Sequence, residues 1–377
     1  MATSVLQIIP LENSKLGAIV RLPQDVSDAS LLNEEDFTTL KKALFKYLVL
    51  VVKNQKDIPP EHQHQLTIRF DPSCKGSYGH DVDKFRHKDS VLRKDGHSVP
   101  SAPQVQILGQ GTHENYHGLD KVSLTHPTHL TFHKNLLSQD EMDNNYTRFY
   151  RWHIDSALYA LNVPKVTSLL GISVPSSEHE KYTIKYDDGT GDEIPNVSQA
   201  ATAFVSGNES FNALSEDDKE FVLNHNVVYA PHPYIFIGNT RATSNGLTIA
   251  SEGKEKPLDE LPEWNNEGIR VLPMVWRNPV TNLPHFQVHG CCVWKIQDKQ
   301  GNTVLELEAA REKLHQLMRP GIAPSRVYCH DWEEGDLVLF NNSGVWHSVT
   351  GQFKPGETRI MHQCNVASGE APVEYTE

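Results

Sequence analysis

The sequence is short of the features that mark secreted, membrane-spanning and nucleic-acid-binding proteins. Its 377 residues include 5 cysteines (Cys74, Cys291, Cys292, Cys329 and Cys364), an odd number with no C-x-x-C pair. That pattern argues against a disulfide framework and against a cysteine-rich zinc site, and it fits buried thiols in a reducing cytoplasm. The first residues, MATSVLQIIPLENSKLG, lack a basic stretch followed by an apolar core, so no secretory signal is expected. The longest apolar run, YLVLVV at 47–52, is far too short to cross a bilayer. Positive charge is scarce: 35 Lys and Arg face 48 Asp and Glu, for a formal net charge of −13. This balance excludes a basic face for nucleic acid or anionic membrane, yet it leaves room for a small-molecule ligand, because one buried Arg binds a carboxylate whatever the total charge. No fixed-period repeat and no low-complexity tract is present.

What is present is a series of short apolar segments broken by turns. NEEDFTTLKKALFKY at 33–47 predicts a helix, with Asn33, Glu34 and Glu35 at its start and Phe37, Leu40, Ala43 and Leu44 on one face. YLVLVV then reads as a buried strand, and PPEHQHQLTIRF as a second helix with Pro in its first turn. Strands are expected at PQVQILG, at the aromatic FYRWHIDSALY and at VPKVTSLLGISVP, and a helix at SQDEMDNNYTRF. Polar excursions are expected near 74–103 and 176–198, the latter turning at DDGTGD. Short strands with helices added outside predict a mainly β fold with a double-stranded β-helix (jelly-roll) core, in one domain spanning 1–377.

Two residues spaced i and i+2 on a strand point the same way, about 6.6 Å apart. RWHIDSAL therefore offers His153 and Asp155 to one ion, and GDLVLFNNSGVWHSVTG supplies a distant His347. Two His and one carboxylate on one face leave open metal positions, as in non-haem iron oxygenases. His87 and Asp89 repeat the H-x-D spacing in a stretch that is polar all round, and they read as a solvated loop. Arg359 follows His347 after the turn GQFKPGET, so a returning strand would bring its guanidinium beside the metal, where it can take a carboxylate through two parallel hydrogen bonds.

On these residues the sequence resembles the taurine dioxygenase-like family of iron(II)- and 2-oxoglutarate-dependent oxygenases. The resemblance runs from the N-terminal helix through RWHID and TAFVSG to the W-x-x-G-D-L-V-L-F element before His347. It implies iron held by His153, Asp155 and His347, and 2-oxoglutarate held by Arg359 and Thr202, with O2 as the second co-substrate. Sulfonate-using members carry a second Arg where this chain has Gln363, and an Asn where it has Phe149. Gln363 and Asn365 share strand parity with Arg359, so two amides, with Phe149 as an aromatic surface, suit a flat heterocycle. RWHIDSALY, NPVTNLPHFQVHG and VWHSVTGQFKPGETRIMHQCNV are most similar to the fungal xanthine dioxygenases of this family. That implies hydroxylation of xanthine to uric acid with release of succinate and CO2. It also associates a Lys ahead of H-x-D with substrate, where Lys121 stands a few residues early. A same-family oxygenase acting on a sulfonate, carboxylate or other small molecule, and a non-catalytic metal-binding jelly roll, are the alternatives. Asn341 and Asn342 are expected to orient His347.

Overall fold

The structure, a computed structural model, describes residues 5–12, 14–74, 87–92, 96–175, 181–351, 353–354 and 356–377. Parts of both expected excursions (75–86, 93–95 and 176–180) lie outside the described residues. The fold is mainly β with added helices around a jelly-roll core.

Its principal sheet runs, in spatial order, through Gln7–Pro10, Ala18–Arg21, Val49–Val52, Leu337–Asn341, Val166–Ser173, Arg359–Asn365, Ala102–Tyr116 and His97–Val99. All neighbours in it are antiparallel except Ala18–Arg21 beside Val49–Val52. Strand alternation divides this sheet between two cores. Leu50, Val52, Leu337 and Leu339 pack outward with Phe37, Leu40 and Leu44 of the helix Glu34–Tyr47. Val49, Val51, Val338 and Phe340 point inward, where they meet Phe204 and Val345 of a smaller sheet. That sheet orders Tyr328–His330, Thr202–Ser206 and Val345–Val349, and it carries His347.

The first helix forms where the sequence predicts it. The side chain of Asn33 accepts a hydrogen bond from the Asp36 N–H at 2.9 Å, and three acidic residues occupy the first turn, where they favour the positive end of the helix dipole. Three other expectations are corrected. The helix at SQDEMDNNYTRF is only Gln139–Asp143, because Asn145 adopts φ +60° and Tyr146–Thr147 pairs with Lys181–Lys185. The polar excursion at 176–198 contains a hairpin, Lys181–Lys185 with Glu193–Ser198, whose Tyr182 and Ile184 are buried. Its tip is fastened by Arg319, which donates from Nη2 to Asp192 at 2.7 Å. The other excursion includes the strand His97–Val99.

The third correction decides the geometry of the site. FYRWHIDSALY is extended but is not a regular strand; it touches Val345–Val349 and the residue after it through isolated bridges. Phe149 faces Thr350 and His153 faces His347, so four steps on one chain match three on the other. One residue is bulged out, and such a slip reverses which side chains face inward.

Gly109, at φ +148°, lies against the Arg359 strand; a Cβ there would sit 1.9 Å from the Arg359 carbonyl oxygen. Gly109→Ala is expected to destabilise the protein by about 1–3 kcal/mol through overpacking and strain. Urea unfolding measures this, and an unchanged midpoint would show that the two strands do not need their close approach.

Candidate metal and ligand site

Main-chain pairing assembles the centre. The N–H of His153 donates to the carbonyl of His347 at 3.0 Å, and the N–H of His347 donates back at 2.9 Å. The two imidazole rings are brought to 4.0 Å between centroids. Asp155 Oδ1 lies 3.8 Å from His153 Nε2 and 3.5 Å from His347 Nε2. The three residues offer ligand atoms all within 4.8 Å of one another, and among the described residues no other group of three or more His, Cys, Asp or Glu does so. Trp152 and Ile154, the alternate residues, are fully buried in the adjoining core and fix the segment from behind.

The surroundings prepare these groups for a cation. His153 Nδ1–H donates to the Arg151 carbonyl at 3.0 Å, which leaves Nε2 as the lone-pair nitrogen facing the cluster. Burial, reinforced by His347 and Arg151, holds His153 well below its ordinary pKa. Burial and Arg151 push His347 down to about 3, so both imidazoles are neutral at pH 7. Asp155 Oδ2 accepts from Thr167 Oγ1 at 2.7 Å and from Gln363 Nε2 at 3.1 Å. Asn342 does not orient His347 as expected. It grips the backbone of Asp155, accepting from its N–H at 2.7 Å and donating to its carbonyl at 2.8 Å. The side chain of Asn341 instead accepts from the Ser343 N–H within the turn.

A cavity of about 190 Å³ opens on the cluster and is also lined by Thr202, Arg359, Gln363 and Asn365. The Arg359 guanidinium is buried, and Nη1 donates to the Ala200 carbonyl at 2.9 Å while Nε has no partner. No carboxylate pairs with it among the described residues, and burial pushes its pKa down to about 9. A buried cation in this state calls for an anion. Thr202 Oγ1 accepts from Trp332 Nε1 at 3.1 Å, so its own proton remains to be donated to a ligand. Asn365 Oδ1 is a buried acceptor without a partner.

Two expected residues fall elsewhere. Phe149 is fully buried against Trp152 and Tyr186, away from the cavity wall, because the bulge turns Tyr150 inward in its place. Lys121 is exposed, on the strand Leu119–Leu124, and does not line the cavity. The alternative pair is not a metal site: Asp89 binds Lys256 at 2.7 Å, and His87 lies 3.9 Å from it. Sequence reasoning missed Tyr150, Arg151, Gln106 and Tyr234, all on the cavity wall. Arg151 stands two residues before His153, so the parity that found Asp155 was available to find it as well.

Comparison with known proteins shows the family. Residues 8–365 match the taurine catabolism dioxygenase TauD, TfdA family. The chain belongs to that family. It is 46% identical over 363 residues, 96% of each chain, to the alpha-ketoglutarate-dependent xanthine dioxygenase xanA of Emericella nidulans. To the xanthine dioxygenase xan1 of Schizosaccharomyces pombe it is 43% identical over 350 residues, 92% of this chain and 84% of that one. A solved structure of a putative alpha-ketoglutarate-dependent taurine dioxygenase from Burkholderia xenovorans superposes with a TM-score of 0.59 at 14% identity, covering 98% of this chain and 94% of that one. This last likeness concerns the jelly-roll fold.

Metal binding is expected to raise the melting temperature. Mn(II) at a hundred times its Kd contributes about 2.7 kcal/mol to the folded state. Scanning calorimetry of the wild type, His347→Ala and Asp155→Ala checks this. The two variants are expected to lose the shift and His87→Ala to keep it; an undiminished shift in His347→Ala or Asp155→Ala would place the ion elsewhere.

Proposed function

We propose that this family member is an iron(II)- and 2-oxoglutarate-dependent dioxygenase that hydroxylates xanthine to uric acid, releasing succinate and CO2. The observation that carries the reaction class is the pairing of an open His/Asp/His face with a buried guanidinium that lacks a carboxylate. The observation that favours xanthine is the set of relatives bearing that activity at 43–46% identity over most of the chain.

The residues fit the groups this reading requires. His153, Asp155 and His347 would hold the iron, and Arg359 with Thr202 would hold the far carboxylate of 2-oxoglutarate. Iron held there would supply, with that co-substrate and O2, the oxidising power for the hydroxylation. The protein's part is placement. Thr167 and Gln363 hold the Asp155 carboxylate in its orientation, and Asn342 fixes the main chain beneath it. Arg359, pinned by Ala200 and flanked by Trp332, keeps a buried guanidinium ready on the cavity wall. Asn365 presents its carbonyl oxygen to a ring N–H. Gln363 directs its amide nitrogen to Asp155, which leaves its carbonyl oxygen as the end available to substrate.

Arg359→Ala is expected to raise the 2-oxoglutarate requirement by about 2–4 kcal/mol, on the order of a hundredfold, and Thr202→Ala by less. The dependence of succinate formation on 2-oxoglutarate measures both. An unaltered requirement in Arg359→Ala would mean that the keto acid binds elsewhere.

The substrate assignment is tested by measuring uric acid and succinate together, with xanthine in a panel of purines, taurine and aryloxyacetates. Asn365→Ala is expected to weaken xanthine use about ten- to a hundredfold while uncoupled succinate formation survives. Gln363→Ala, which also releases Asp155, is expected to lower both products. Turnover of another compound with no uric acid would end the xanthine reading.

A further inference from the structure

We propose that Arg151 seats the substrate, its guanidinium binding an electron-rich carbonyl edge of a planar ligand; the choice of xanthine as that ligand rests on the function proposed above. Arg151 is buried, and its Nε and Nη1 atoms are enclosed with no hydrogen-bond partner. No carboxylate pairs with it among the described residues. Its Cζ lies 5.2 Å from the ring centroid of Tyr234, 5.6 Å from that of Tyr150 and 5.7 Å from that of Phe132. Such rings attract the charge and restrict the plane of the fork, but they take none of its directed hydrogen bonds.

Burying a guanidinium in this state is costly unless something else meets it. What meets it comes from the cavity, because Tyr150, Arg151 and Tyr234 line the same space as His153, Asp155 and His347. Among the described residues, the charged ones lining that space are Arg151, Arg359 and Asp155, a surplus of one positive charge. A divalent metal and a dianionic keto acid cancel each other and leave that surplus in place. Arg359, beside Ala200 and Trp332, is spoken for by the keto acid; Arg151, in its separate cage of rings, is not.

The ligand chemistry follows from the donors and acceptors that lack partners. Arg151 offers parallel N–H donors, and Asn365 Oδ1 is an orphaned acceptor. Together they complement a ring that carries C=O and N–H groups, with two aromatic residues beside the fork to receive its face. Xanthine has this pattern, with carbonyl oxygens at C2 and C6 and ring N–H groups between and beside them. A sulfonate would engage the fork but leave Asn365 unsatisfied.

The test compares wild type, Arg151→Met and Arg151→Lys. Calorimetry reads xanthine binding to the Mn(II)- and 2-oxoglutarate-loaded protein without oxygen, and a thermal scan reads the ligand-free protein. Arg151→Met is expected to weaken xanthine binding about ten- to a hundredfold, with 2-oxoglutarate affinity unchanged within about threefold. Arg151→Lys, which keeps the charge but not the fork, is expected to fall between. The melting temperature of ligand-free Arg151→Met is expected to hold or rise, since a buried unpaired charge has been removed; a residue serving only packing would lower it. Unchanged xanthine affinity in Arg151→Met, an equal loss for 2-oxoglutarate, or a lowered melting temperature with loss of Mn(II) binding each overturns the assignment. Wild type that fails to bind xanthine overturns the xanthine reading and this inference with it, whereas wild type that binds it and variants that match overturn this inference alone.

Discussion

Two main-chain hydrogen bonds, exchanged between His153 and His347, hold the centre together. They join a segment without regular secondary structure to a strand of the smaller sheet, and every ligand position depends on that junction. Because the pair is reciprocal, the rings stand side by side whatever occupies the space between them. Asn342 repeats the device one step further on, using a side-chain amide in place of a strand to hold the backbone of Asp155. The three candidate ligands are thus placed by the backbone, which would lower the ordering cost of binding an ion.

Around that junction the protein has placed cations where a stable core would have none. Among the described residues, Arg151 and Arg359 are both buried without a carboxylate partner, and Asp155 is the one acidic residue on the cavity wall. Such an arrangement sacrifices stability for function, because each guanidinium has given up water and received only a carbonyl or aromatic faces in return. Filling the site with anions and carbonyl oxygens restores what folding removed. The same low dielectric that makes the empty arrangement costly makes the filled one selective. It also holds both histidines below their ordinary pKa and so favours the neutral imidazoles.

Much of this was legible in the sequence where local pattern and tertiary setting agree. Asn33 and the acidic turn after it announce the first helix, and VLVV announces a strand buried on both faces. His153 and Asp155 were legible from strand parity, and His347 and Arg359 from the turn between them; the fold brings all four to one cavity. The misreading of Phe149 has a physical cause in the bulge between it and His153, which reverses parity and leaves no mark in composition. The hairpin at 181–198 was hidden for another reason: its first strand alternates Tyr182 and Ile184 with Lys181, Thr183 and Lys185, and the polar half dominated the reading. Arg151 carries no mark in the sequence beyond its i−2 spacing from His153; its burial among aromatic rings is a tertiary feature. Asn342 could not be assigned its role, since its partners at Asp155 are backbone atoms 187 residues away in the sequence.

The account predicts that the metal centre inserts one atom of molecular oxygen into xanthine and the other into succinate. Isotope labelling tests this most directly. With Fe(II), 2-oxoglutarate and xanthine under 18O2, mass spectrometry is expected to find one labelled oxygen in uric acid and one in succinate, formed in equal amounts. Uric acid labelled from water instead, or succinate formed at the same rate whether or not xanthine is present, would contradict it.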